Sequence, residues 1–540
     1  MKIVGFHSNH DASYSVLEDG VPKVHNEIER FNRIKNCVAN SIEFFLDNDK
    51  DAENVDIMVT HRTGGPKDNE YMDDFNRCEE IVKKNGGKLY VTGHHQAHAA
   101  NAFFTSNFDE ALIMTIDGGG VDNEDGSLHH KDEIDTSKSA VNTCTTFWLG
   151  KGNKIEPLKI IPNTKLNIGF YWANVTKEIF GLGTWGDPRG DQAGTVMGMA
   201  ALGDPEKYRG HFKNMKDGYV IPKNSPLLKK EVQRDEREGF HIAAALQAET
   251  EEIMKAYLTP YIEKYKPKNL CLSGGVSLNC VSVGKMFDWF PGINIFCDPI
   301  PYDAGLSLGA SRYVWHHLLD NPRVYDNPKN WTPYLGYTYA KGRVEAALKS
   351  RDSEIEVMGC DDDYVIWLMT TKKIISVFGG GSESGRRALG NRSILADPRS
   401  EENKDIVNKK VKHRQWFRPF APSILRDHVK DWFVHDVDSP YMSIALKFKE
   451  GMGEKVPAVL HHDYTARLQT VSKEDNEWYY NFIDKFREKT GVPIVLNTSF
   501  NDREPIVETP EHGLDCFLRT NIDYLYFRDY GILVSKVWKG

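Results

Sequence analysis

The chain has 540 residues, 40% of them hydrophobic and 27% charged, with a formal net charge of -9. That length exceeds one ordinary core and predicts about two to four folding units, and the composition excludes a disordered or fibrous chain. The charge is spread without a basic stripe, which argues against a polymeric nucleic-acid partner.

Met1 runs directly into an apolar, strand-like segment at residues 2–6, without the pattern of a signal peptide. No segment approaches the ~18 consecutive apolar residues of a membrane span. Eight cysteines stand without a C-x-x-C pair, as expected of reduced thiols. These features predict a cytoplasmic protein with no membrane partner.

Strand-like runs that end in glycine-rich or acidic turns and lead into helical stretches recur at residues 111–120, 270–280, 293–310 and 374–389. That alternation is the mark of an α/β fold, in which ligands gather where strands end and helices begin. After a predicted strand at 88–91, Gly93-His94-His95-Gln96-Ala97-His98 opens an alanine-rich helix. His94 and His98 then share one helical face about one turn apart, the spacing two histidines need to hold a divalent metal. His95 points elsewhere.

Two carboxylates at strand ends complete the candidate set: Asp117, before Gly118-Gly119-Gly120, and Asp303, in Pro301-Tyr302-Asp303-Ala304-Gly305. Spacing alone fits equally well with ordinary histidines and turn-forming aspartates. If the four meet, they point to iron, with zinc or manganese as alternatives, and to a Lewis acid for acyl or carbamoyl transfer. Between them, Leu272-Ser273-Gly274-Gly275-Val276-Ser277-Leu278-Asn279 reads as strand, paired glycine and helix. Gly274, Gly275 and Asn279 are candidate nucleotide contacts there, although the same pattern serves as a plain tight turn.

Residues 318–339, rich in Asn, Asp and Pro, break regular structure and place a domain boundary that divides the chain into 1–340 and 341–540. A helix over 343–350 follows, and no internal repeat is visible. Beyond it lies a basic block: Gly385-Arg386-Arg387-Ala388-Leu389-Gly390, residues 408–414, and Trp416-Phe417-Arg418-Pro419-Phe420. Arg467-Leu468-Gln469 and Asn497-Thr498-Ser499 close it.

With these motifs in this order, nearly the whole chain resembles the O-carbamoyltransferases typified by nodulation-factor and antibiotic-tailoring enzymes. The resemblance implies an α/β protein. Its first domain is actin-like, a duplicated ribonuclease H-like fold similar to tRNA threonylcarbamoyltransferases, with metal ligands His94, His98, Asp117 and Asp303. Its second is an α+β YrdC-like domain in which Arg387, Lys412, Arg418, Arg467, Asn497 and Ser499 line the site joining carbamoyl phosphate to ATP. Two polyanions brought together need several fixed cations, with Mg2+ sharing the load.

The motifs Asn9-His10-Asp11-Ala12-Ser13 and residues 27–35 also resemble the family's opening hairpin. That implies His10 and Lys35 at the transfer site, His10 as proton acceptor and Lys35 steadying phosphate or oxyanion. The implied activity is an ATP-dependent O-carbamoyltransferase that acts through carbamoyl-adenylate on a small-molecule hydroxyl.

Two departures bear on the expected contacts. Glu383-Ser384-Gly385-Arg386-Arg387 replaces an apolar residue and a proline, which predicts a looser and more basic loop. Asp191-Gln192-Ala193 lacks a lysine, with Asp191 left as a candidate contact to a substrate hydroxyl. Residues 185–191, headed by Trp185, are the candidate acceptor loop. Frequent Lys, Asn, Asp and Ile fit an AT-rich genome, that of a phage or a low-GC bacterium; a phage source would add a hydroxymethyl pyrimidine nucleotide to antibiotic and oligosaccharide hydroxyls as candidate acceptors. The rival readings are a tRNA threonylcarbamoyl-type transferase and a non-catalytic actin-like ATP-binding module.

Overall fold

In a computed structural model, the described residues are 1–49, 54–61, 70–84, 86–123, 140–184, 187, 189–217, 221, 225–228, 236–323 and 332–537. The chain folds as two compact units, Met1–Trp331 and Thr332–Gly540. Of the segments singled out by sequence, 324–331 and, in the candidate acceptor loop, Trp185, Gly186 and Pro188 lie outside the described residues.

The first unit holds two sheets built on one plan. Strands β1 (Lys2–His7), β2 (Ser13–Glu18), β3 (Val21–Glu27), β4 (Ile57–His61) and β5 (Lys88–Thr92) form the order β3-β2-β1-β4-β5. β1 to β3 are antiparallel neighbours, while β4 and β5 run parallel to β1. In the second sheet β6 (Glu110–Ile116), β8 (Ala140–Lys151), β9 (Lys154–Pro162), β10 (Asn269–Ser273) and β11 (Asn294–Cys297) repeat that order as β9-β8-β6-β10-β11, with β7 (Val121–Asn123) paired to β8. The parallel and antiparallel pairings repeat as well. This is the duplicated ribonuclease H-like plan, present in the topology although no sequence repeat betrays it.

Pleating explains which residues point inward. Val4, Phe6, Tyr14 and Val16 alternate on β1 and β2 and meet Ile42 and Phe45 of helix Ser41–Asn48 in one core cluster. In the second sheet Ile113 and Trp148 pack with Phe103 and Phe104 of helix His94–Thr105. Trp148 is fully buried, and its indole N–H donates to Thr146 Oγ1 at 2.6 Å.

The functional positions are set by close backbone approaches. Helix Leu306–Arg312 lies against β1 at Gly5, where a Cβ would run into the Ser307 carbonyl, and against helix His94–Thr105 at Gly309, where a Cβ would run into the Ala97 carbonyl. Asp303, three residues before that helix, is thereby held beside His94 and His98.

The second unit is an α+β fold with one sheet of nine strands: β12 (Ile355–Gly359), β13 (Ile375–Phe378), β14 (Arg392–Ala396), β15 (Ala421–Leu425), β16 (Ile444–Lys447), β17 (Thr465–Val471), β18 (Ile494–Ser499), β19 (Tyr524–Phe527) and β20 (Ile532–Lys536). Their order is β12-β20-β19-β13-β14-β18-β15-β17-β16, with parallel pairs β13/β19 and β15/β17. Helix Lys473–Thr490 begins in a Ser472–Asp475 capping box and stops at Gly491, φ 76°. The helix expected at 343–350 runs Lys341–Lys349.

Gly309→Ala should lower stability by about 1–3 kcal/mol through overpacking. Gly194, whose added Cβ would meet nothing within 4 Å, should tolerate alanine without loss. Denaturant midpoints of the two variants check this.

Candidate functional site

In the first unit the parallel strands deliver their chemistry at their carboxyl ends. β5 leads into His94, β6 ends before Asp117, β10 before Gly274, and β1 ends at His7, three residues before His10. His94 Nε2 lies 3.0 Å from Asp117 Oδ2 and 3.7 Å from Asp303 Oδ1. His98 Nε2 lies 3.5 Å and 3.7 Å from the same two oxygens. One ligand atom from each of the four residues falls within 4.8 Å of the others, and all four side chains are buried.

Electrostatics of this cluster ask for a cation. Burial pulls the His98 imidazole down, but Asp117 and Asp303 outweigh it and push the group up to about 9. Burial likewise works against the Asp117 carboxylate, yet His94 and His98 hold it well below the usual range. His98 Nε2 is buried with no hydrogen-bond partner. An orphaned imidazole nitrogen aimed at two carboxylates is a donor set that fits a first-row divalent ion.

The supports of this set were not identified from the sequence. Asp298, fully buried, accepts from both Asn101 Nδ2 and Ser273 Oγ, and Ser273 Oγ is 3.4 Å from His98 Nδ1. Asp122 accepts from the His95 and Gln96 backbone N–H groups and lies 2.9 Å from His95 Nδ1, which fixes the first turn of the histidine helix. His95 therefore serves the helix start and does not face the other two histidines' ligand oxygens. Asp298 follows β11 in Cys297-Asp298-Pro299, an acidic strand end of the same kind as Asp117, and is the one support with a signal in the sequence; Asp122 carries no such signal.

Gly274 and Gly275 sit where the motif placed them, with a contact of their own. Gly274 has φ 87°, and a Cβ there would strike the Ile116 carbonyl. Gly275 N–H donates to Asp117 Oδ1 at 2.9 Å. The turn thus orients a candidate metal ligand. Asn279 caps helix Cys280–Trp289 through Ser282 N–H and also bonds Gln247.

The structure draws His10, Lys35 and Asp191 together around Asn36. His10 Nδ1 is 3.0 Å from Asp11 Oδ2, Asn36 Nδ2 donates to Asp11 Oδ1 at 2.5 Å, and Asp191 N–H donates to Asn36 Oδ1 at 2.8 Å. A Cβ at Gly190 would stand 2.8 Å from Lys35 Cδ, so the lysine stem lies along the same turn. His10 Nε2 is 3.5 Å from Asp303 Oδ2, which joins this group to the candidate metal ligands. Burial lowers the His10 imidazole, but Asp11, Asp303 and Asp117 together push it up to about 9.

Backbone strain marks the same turn: Asn9 has φ 120° and Asp11 φ 58°. Beneath it, His7 Nε2–H donates to the His10 carbonyl at 2.8 Å, so His7 Nδ1 accepts from His61 Nε2 at 2.6 Å. Neither His7 nor His61 was identified from the sequence.

In the second unit the expected residues divide into two groups. Lys412 Nζ donates to Asn501 O at 2.8 Å and Asn501 Oδ1 at 2.6 Å, and also to Ser499 O, so it fastens the Ser499–Asn501 turn. Asn497 Nδ2 donates to Ala388 O, Ser423 Oγ and Gln469 Oε1, tying β18 to β15, β17 and the 383–392 loop. That loop, expected to be loose, is anchored: the buried Glu383 Oε1 accepts from the Leu389, Asn391 and Arg392 N–H groups. Arg387 sits within it, half-buried.

Arg418 and Arg467 form the other group, with Arg414 and His461 beside them. Burial first, then Arg418 and Arg467, lower the Arg414 guanidinium; burial and Arg467 lower Arg418 to about 10. Among the described residues no carboxylate pairs with any of the three, and Arg467 Nε and His461 Nε2 are buried without partners. Burial, with the charges of Arg467 and Lys404, brings His461 down to about 4, although Asp463 acts the other way. Three neighbouring guanidiniums without an anion are costly, and a polyanionic ligand offsets that cost.

Addition of a divalent ion at about 100 times its Kd should stabilise the wild-type protein by ~2.7 kcal/mol, read as a rise in Tm. His98→Ala should lose that rise for every ion tested, while Gly275→Ala, whose Cβ would stand 2.8 Å from Asp117 Oδ1, should weaken it.

Comparison with known proteins follows the same division. Residues 69–312 match the family model Carbamoyltransferase N-terminus, and residues 367–534 match Carbamoyltransferase C-terminus. The chain is similar to nodulation protein NolO of Bradyrhizobium diazoefficiens, 34% identical over 80% of this chain and 77% of that one. An uncharacterized protein of Methanocaldococcus jannaschii is 30% identical over 99% of this chain and 100% of its own length. Among solved structures, HypF of T. kodakarensis aligns with a TM-score of 0.38 at 13% identity, over 59% of this chain and 48% of that one. No helix among the described residues is long and apolar enough to cross a membrane. By its two family matches and its relatives, the chain belongs to the carbamoyltransferase family of transferase enzymes.

Proposed function

We propose that this carbamoyltransferase is an ATP-dependent O-carbamoyltransferase that works in two steps at two chemically opposite sites. The observation that carries the reading is the arginine group Arg414, Arg418 and Arg467, which has no carboxylate partner among the described residues. ATP and carbamoyl phosphate are the polyanions it would hold, with Arg387 of the adjoining loop and Mg2+ sharing the charge. Water releases inorganic phosphate from carbamoyl phosphate, and a carbamate oxygen then attacks the α-phosphorus of ATP. The bond to the β-phosphate breaks, pyrophosphate leaves, and carbamoyl-adenylate remains.

Transfer then takes place in the first unit. His94, His98, Asp117 and Asp303 would hold a divalent ion, for which Fe2+ is the proposed metal. The chemistry supplied there is polarisation of the carbamoyl oxygen, together with offset of the Asp117 and Asp303 charges that keep His10 protonated. Asp11 holds His10 Nδ1–H, so Nε2 faces the cluster and takes the proton of the acceptor hydroxyl. Lys35 steadies the departing AMP, and Asp191 positions the acceptor. The acceptor is a small hydroxylated molecule, and a hydroxymethyl pyrimidine nucleotide is the first to try, ahead of aminoglycosides and oligosaccharides.

Removing a guanidinium from a phosphoryl site should cost far more than removing a surface charge, so Arg467→Ala should reduce carbamoyl-phosphate-dependent pyrophosphate release by about 100-fold or more. His94→Ala should release pyrophosphate at near the wild-type initial rate and transfer no carbamoyl group. Loss of the same step in both variants would contradict the two-site scheme.

A further inference from the structure

We infer that Trp416 is the stacking platform for the purine ring of the nucleotide, a role that rests on the anion reading of Arg414, Arg418 and Arg467. Trp416 is 55% exposed, one of the few large apolar side chains in that state. A single exposed tryptophan is ordinary by itself; its setting is not. Arg418 N–H donates to Gln415 O at 3.2 Å, which closes a turn with Trp416 and Phe417 at its tip. Asn408 pins that turn from below: its Nδ2 donates to Arg418 O at 3.2 Å and lies 3.5 Å from Trp416 O, while its Oδ1 accepts from Arg414 Nε at 2.8 Å.

The turn therefore carries a guanidinium at each foot and an aromatic face at its tip. Trp416 is two residues from both arginines, so at most about 7 Å of backbone separates it from either. A ring carried on a phosphate chain bound by those arginines comes within reach of the indole. The Phe417 ring meets Trp416 edge-on at 5.9 Å and 85°, which braces the indole. Of the two substrates proposed for this site, only ATP has a ring to stack, and carbamoyl phosphate has none. Tyr364 and Trp367, also exposed, stack on each other at 5.5 Å on helix Asp362–Thr370, with no such arginine pair in their turn.

Calorimetric titration of the full-length protein with ATP and with inorganic tripolyphosphate separates the ring from the charge. Trp416→Ala should weaken ATP about tenfold, the size of one lost base–aromatic stack, and leave tripolyphosphate unchanged. Trp416→Phe should restore most of the ATP affinity, and Trp416→Leu should not. Equal loss for both ligands, or no loss for ATP, overturns the stacking role; if Trp416→Ala does not fold, the phenylalanine and leucine variants decide by the same comparison. Arg467→Ala tests the underlying anion site separately. It should weaken both ligands alike, and unchanged binding of both would remove the site and the stacking role with it.

Discussion

Two carboxylates buried side by side cannot both stay ionised without positive charge close by, and Asp117 and Asp303 are in that position. In this structure His98 and, at the outer oxygen of Asp303, His10 supply it, with His94 Nε2 3.0 Å from Asp117 Oδ2. The architecture of the first unit follows from holding those groups within a few ångströms. Gly309 lets two helices meet backbone to backbone, Gly274 and Gly275 turn tightly enough to donate to Asp117, and Gly120 leaves room for the His94 ring. Each glycine stands where a side chain would push a ligand away.

The second unit poses the opposite problem. Arg414, Arg418 and Arg467 have no carboxylate partner among the described residues, while the buried Lys412 is engaged with backbone and amide oxygens. Lys412 and Arg418 thus differ in kind: Lys412 fastens the Ser499–Asn501 turn, whereas Arg418 lies among other guanidiniums. The same division holds for Asn497, whose amide is spent tying three strands and a loop together. A family of anion-binding chemistries is available to such a site, and the pairing with a cation-seeking site in the other unit is what favours activation followed by transfer.

Much of this was legible in the sequence, for physical reasons that can be named. The i, i+4 spacing of His94 and His98 survives because a helix has one geometry, and Asp117 is legible because strand ends in an α/β fold are marked by acidic turns, whereas Asp303 stands six residues past the end of β11, in the turn before helix Leu306–Arg312. The duplication is legible only through the family resemblance, because it lives in strand order, which needs no repeated residues. Asp122 and Ser273 were hidden because they support the histidine helix from distant parts of the chain, and His7 and His61 because a buried histidine pair leaves no spacing to read. The loop at 383–392 was misjudged as loose because loss of a proline counts against rigidity in sequence, whereas one buried carboxylate, Glu383, holds three of its amides.

The central claim is that an activated carbamoyl group forms in one unit before the other transfers it. Carbon-13 NMR of carbonyl-labelled carbamoyl phosphate, incubated with ATP and the His98→Ala protein, tests it most directly. The account predicts that a labelled carbamoyl-adenylate accumulates, seen as a carbonyl signal coupled to the phosphorus of AMP, with no carbamoylated acceptor. Label appearing only in carbamate or bicarbonate, with no adenylate at any time, would contradict it.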